Sequence, residues 1–157
     1  MKRPIFYCKS WFRARKRPTE VWSEEQARAA HSDKRTYTAL IGDVERPYCF
    51  LDISNGVVGV GFLDDLLRES LTYAFQEITP GKLFLTMATH REFKDDTDEV
   101  VAGATYTFEP DGALQITRES FNPYHIETAE STCDVRGNYS DVPEFGNYDN
   151  LIKVERG

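Results

Sequence analysis

With 157 residues, 40% of them hydrophobic and 13% aromatic, the chain fits a single domain, 1–157, able to bury roughly 68–70% of its unfolded surface in one core. No run approaches the ~18 apolar residues that a membrane span needs, so no membrane partner is expected. The net charge of −7 is unevenly spread: residues 1–40 hold 10 Lys/Arg against 4 Asp/Glu, and residues 41–157 hold 9 against 22. Such an acidic body opposes nucleic acid and suits a basic partner.

The charged start, Met1-Lys2-Arg3, leads into no secretory apolar core, because Lys9 and Ser10 interrupt the stretch from Pro4 to Phe12; the expected location is cytoplasmic. Ile5 to Arg13 reads as a first strand, rich in aromatic and β-branched residues. Its basic end, WFRARKRP from Trp11 to Pro18, interleaves aromatics with Arg and Lys as a nucleic-acid patch does. It also fits the exposed end of an edge strand, where positive charge blocks unwanted pairing. Counterion release needs several phosphate contacts, which one end of an acidic chain supplies poorly. Thr19 or Ser23 caps a short helix through about Ala30, with Glu24 and Glu25 in the first turn, where the helix dipole favours them. Thr36 to Ile41 is a second strand.

Tyr48 to Leu63, YCFLDISNGVVGVGFL, is a hairpin about Asn55-Gly56, a pair that tolerates the positive φ of a type I′ turn. Counting outward sets Ile53 opposite Val58, Leu51 opposite Val60 and Cys49 opposite Phe62 on a core face. On the other face Phe50 lies opposite Gly61 and Asp52 opposite Gly59, with Tyr48 beside Leu63 at the open end. A ring over a strand glycine restores the packing that the missing side chain gave up. The VGVG run fits no phosphate-binding fingerprint, which needs a helix directly after it.

Leu66 to Ile78 carries a helical stripe (Leu67, Leu71, Ala74, Phe75, Ile78) as well as strand alternation. The short turn Thr79-Pro80-Gly81 into Lys82–Phe93 selects a strand in a meander. Lys82–Phe93 is apolar on both faces and therefore central. The polar turn KDDTDE, 94–99, leads to Val100–Phe108, and Pro110-Asp111-Gly112 turns into Leu114–Ser120, with Leu114 and Ile116 inward. Asn122-Pro123 breaks that strand, and Thr132–Val135 is a last short one. In the tail, Tyr139, Phe145 and Tyr148 pin the chain to the body, and Tyr148–Glu155 forms a helical turn. The fold class is mainly β (α+β): an antiparallel meander forming a curved sheet or open barrel, with one short N-terminal helix and a short C-terminal helical turn.

Cys8, Cys49 and Cys133 are too scattered for a zinc ribbon and odd in number for a closed disulfide set, which leaves reduced structural thiols. His31, His90 and His125 stand in no fixed relation to them, so no catalytic residue and no enzyme is expected. The acidic run 95–99 lacks the glycine and the length of a calcium loop. No metal or cofactor is expected; the run is a solvated turn or an acidic contact patch.

On such a small acidic domain, the stretches PGKLFLTMATHREF, TYTFEPDG and VPEFGNYDNLIKVERG resemble bacterial immunity proteins paired with polymorphic (contact-dependent or type VI secreted) toxins, over roughly residues 36–157. The resemblance implies a cytoplasmic protein that binds a cognate toxin domain and blocks its active site or substrate access. It transfers no residue by position. Charge singles out Asp95, Asp96, Asp98 and Glu99 as first partner contacts, and Asp141 and Glu144 in the tail as second. The alternative is a small-molecule-binding or enzymatic β-barrel domain, in which Gly59 and Gly61 mark close approach of a ligand to backbone.

Overall fold

A computed structural model of the protein describes residues 3–156, leaving the start Met1-Lys2 outside the described residues. The strands are β1 (Ile5–Cys8), β2 (Trp11–Phe12), β3 (Arg17–Pro18) and β4 (Val21–Trp22), followed after helix α1 (Glu24–Ser32) by β5 (Tyr37–Ile41), β6 (Cys49–Ser54) and β7 (Val57–Leu63). Then come β8 (Glu69–Thr79), β9 (Lys82–Phe93), β10 (Val100–Phe108), β11 (Ala113–Ser120), β12 (His125–Thr132) and β13 (Tyr139–Asp141). From β5 to β12 each strand pairs antiparallel with the next, and β1 and β4 extend the sheet beyond β5. The sheet does not close: β12 forms one edge and β4 the other. Among the described residues no helix is long and apolar enough to cross a membrane.

The hairpin about Asn55-Gly56 has the register counted from its turn, with Cys49 opposite Phe62, Leu51 opposite Val60, Ile53 opposite Val58 and Phe50 opposite Gly61. Its core face packs with Tyr37, Ala39 and Ile41 of β5, Phe75 of β8 and Leu83 and Leu85 of β9. Residues 69–79 form a strand, because a two-sided ladder with β7 and β9 outweighs the helical spacing of their apolar residues. Helix α1 starts at a capping box: Ser23 Oγ accepts from Gln26 N and Gln26 Oε1 accepts from Ser23 N. It seals part of the core with Ala27 and Ala30.

The tail closes the same face. Tyr148 and Leu151 are buried, and the Tyr148 hydroxyl lies 3.0 Å from that of Tyr37 and 3.5 Å from that of Tyr7. Phe145 stacks on Tyr7 with centroids 4.9 Å apart. The helical turn expected over 148–155 comes down to one hydrogen-bonded turn, Leu151 N to Tyr148 O.

Three segments differ from the sequence expectations. The first strand is interrupted at Lys9-Ser10, and the basic run after it folds into the small β2–β3 ribbon. The last long strand is β12, not residues 132–135: the break at Asn122-Pro123 is a turn that brings the chain back along β11. Every residue of β12 is exposed, so it shows no apolar alternation to reveal it. Finally, Tyr139–Asp141 pairs with Phe84–Lys82 on the side of β9 that β10 occupies further along.

Candidate functional site

The face of the sheet away from α1 is open and holds a cavity of about 560 Å³. Its floor is the β7–β8–β9 ladder, where Gly59, Ala74 and Met87 share one row and Gly61, Thr72 and Thr89 the next. The two glycines act differently. A Cβ at Gly61 would overlap the Phe50 ring, whereas a Cβ at Gly59 would meet nothing within 4 Å. Gly61 thus admits a ring, and Gly59 leaves backbone bare at the cavity floor.

The β2–β3 ribbon makes one wall. Buried Trp11 stacks on Phe50 at 5.9 Å, and the Arg13 guanidinium stands 5.0 Å above the same ring. Arg13 pairs with Glu69 at 3.0 Å and with Asp52 at 3.3 Å, and Asp52 also accepts from Thr38 Oγ1 at 2.8 Å. Lys16, at a positive φ of 53°, donates to Leu66 O at 3.0 Å and Asp98 at 2.7 Å. Within the run WFRARKRP, Arg13 and Lys16 are thus paired with Asp52, Glu69 and Asp98, while Arg15 and Arg17 are exposed on the two-stranded ribbon.

Arg68 also lines the cavity. Asp64 accepts from Leu66 N, Arg68 N and Arg68 Nε at 2.8–2.9 Å. Burial alone would raise the Asp64 carboxyl, but these bonds and the Arg68 charge outweigh it and hold the carboxyl below its ordinary value. The Arg68 guanidinium lies over the Phe93 ring at 4.6 Å and donates to the carbonyls of Asp95 and Thr97. Arg91, half-buried on the floor, differs from these cations. It touches Thr72 Oγ1 at 3.5 Å, and among the described residues no carboxylate pairs with it.

The acidic turn lies at the rim of this cavity. Asp95, Asp96, Asp98 and Glu99 are all exposed; Asp98 is paired with Lys16, and Glu99 stands 3.9 Å from Lys94. Asp141 bonds Lys82 at the other end of β9, and Glu144 is exposed beyond it. β9 has 12 residues, about 36 Å at ~3.3 Å each. The two acidic groups are separate surfaces.

What sequence reasoning missed is the aromatic tip beside the first of them. Phe121 N donates to Val101 O, which brings the turn between β11 and β12 next to the end of the acidic turn. Phe121, Tyr124 and Ile126 are 39%, 61% and 49% exposed, the two rings lie 5.8 Å apart, and Tyr124 Oη donates to Glu119. The signal was the aromatic pair flanking Asn122-Pro123.

The cysteines are free. Burial pushes the Cys8 thiol up to about 12, with the Asp52 charge adding to it, and burial pushes Cys49 up to about 12 as well; neither is poised as a nucleophile. His31 Nδ1 lies 2.9 Å from the Tyr37 hydroxyl, and His125 pairs with Glu127 at 3.0 Å. Among the described residues no group of three His, Cys, Asp or Glu could hold a metal ion.

Comparison with protein-family models, with curated proteins and with solved structures finds no match for this chain.

Proposed function

We propose that the chain is a stoichiometric inhibitor of the immunity type, binding in the cytoplasm to a cognate toxin domain with a basic surface and performing no catalysis itself. The observation that carries this reading is the tip formed by Phe121, Tyr124 and Ile126 beside the acidic turn 95–99. Exposed rings serve as anchors that fill pockets on a partner, and a charged rim sets the encounter rate and rejects wrong partners. The acidic balance of residues 41–157 adds a field that attracts a basic surface, and the resemblance in residues 80–93, 105–112 and 142–157 points to the same class of protein.

An interface of standard size covers about 800 Å² per partner, a patch roughly 32 Å across, less than the ~36 Å of β9 that separates the acidic turn from Asp141. The primary contacts are therefore Phe121, Tyr124, Asp95, Asp96, Asp98 and Glu99, and the tail acids lie outside them. The test is co-expression and binding with the toxin domain encoded beside this chain. Phe121→Ala with Tyr124→Ala should weaken binding by about 2–4 kcal/mol and abolish protection. Asp96→Lys with Glu99→Lys should slow association and flatten its salt dependence. Full protection by the aromatic double variant would refute the assignment.

A further inference from the structure

The cavity on the open face meets the surface assigned to the partner at its rim, where Asp98 belongs to both, but the chemistry of its floor points to a ligand of another kind. Its volume, about 560 Å³, lies within the ~300–1,000 Å³ range of small-molecule sites. Its walls combine an apolar part with four cations. Phe50, Met87 and Phe93 supply carbon surface, Met87 is exposed, and the bare backbone at Gly59 leaves room for a flat group to approach the sheet.

Three of the four cations lining it are committed to carboxylates: Arg13 to Glu69 and Asp52, Lys16 to Asp98, Arg68 to Asp64. Arg91 is not. Glu119, which shares its cross-strand row two strands away through Gly103, is bonded instead to the Tyr124 hydroxyl. A half-buried guanidinium has five donors in a rigid fork and matches a carboxylate or phosphate with two parallel bonds. Thr72 and Thr89, side by side on β8 and β9, place two hydroxyls in the same cavity.

We infer that this cavity binds a small organic anion, a carboxylate or phosphate monoester carried on a flat apolar body, with Arg91 as the anion anchor and Phe50, Met87 and the Gly59 backbone against the body. The committed ion pairs of Arg13, Lys16 and Arg68 hold the walls in place, so the site is formed before the ligand arrives and little ordering opposes binding.

The isolated full chain suffices for the test, so its outcome does not depend on the partner assignment. Phenyl phosphate is titrated while backbone amide resonances are followed by NMR, with phenol and inorganic phosphate as the two half-ligands. Saturable shifts are expected on β7, β8 and β9. Arg91→Gln should weaken binding about tenfold or more, the loss of a charge-assisted bidentate contact, and each half-ligand should bind at least about tenfold more weakly than the whole. Gly59→Leu, which fills the floor and leaves Arg91 intact, should also block binding, and unfolding midpoints of both variants establish that they fold. The inference is overturned if phenyl phosphate does not saturate, if folded Arg91→Gln binds as tightly as the parent, if inorganic phosphate alone matches phenyl phosphate, or if the shifts map outside the cavity.

Discussion

At Gly61 the absence of one methyl group decides how the open face packs. The Phe50 ring occupies the space a Cβ would take, with Trp11 stacked on that ring and the Arg13 guanidinium over it. Gly61→Ala must displace a buried ring that is held from above, so it should cost about 1–3 kcal/mol, a melting temperature lower by about 2–4 °C per kcal/mol. Gly59→Ala adds the same atom where nothing lies within 4 Å and should change stability by no more than ~0.5 kcal/mol. Paired thermal melts check the contrast; equal losses would mean that the ring does not depend on the gap.

Among the elements, β6 and β7 were legible because Asn55-Gly56 fixes the turn and the turn fixes every pair beyond it. β9 and β10 were legible because apolar residues on both faces mark a central strand and a polar run marks the connection. β12 was hidden: a strand exposed along its whole length needs no alternation, and its ladder comes from backbone groups that every residue carries. The ribbon β2–β3 was hidden because its position depends on Asp52, Glu69 and Asp98, which lie 39 to 82 residues away along the chain. The candidate site divides the same way. Charge located the turn 95–99, but only the ladder brings Phe121 and Tyr124 beside it, and no spacing rule marks Arg91 as the cation left unpaired. These strands should also differ in local stability. Amides of β12 and the outer half of β11 should exchange with deuterium well before those of β5 to β7, which lie over the core; uniform protection across the sheet would contradict the two-sided exposure of the outer strands.

Over the whole molecule, one face is sealed by α1 and the tail, and groups that resist ionisation are buried on both sides of the sheet. Cys49 lies in that core and Cys8 in the smaller cluster with Trp11 and Phe50. Burial first, then hydrogen bonds and charge from Tyr148, also raises Tyr37 and Tyr7 above their ordinary value. The thiols stay protonated in the fold to about pH 12 but ionise near pH 9 in the unfolded chain, so between those values the native state binds more protons. The stability they contribute is complete below about pH 9 and drains away as the pH rises toward 12. Urea midpoints should be level from pH 7 to about 8.5 and fall from about pH 9.5 upward, less steeply in a Cys8→Ala, Cys49→Ala variant. A level midpoint through that window would place the thiols in water.

The burial of Tyr148 and Leu151 also bears on how the chain comes to be folded in a cell. Tyr148 meets its hydroxyl partners across 111 and 141 residues of sequence, so the strands carrying Tyr7 and Tyr37 are made long before the residues that cover them. During translation the central sheet can pair while one of its faces is still bare, a surface that binding chaperones recognise. Covering of that face awaits the segment that carries Phe145, Tyr148 and Leu151, whichever strands have paired before it.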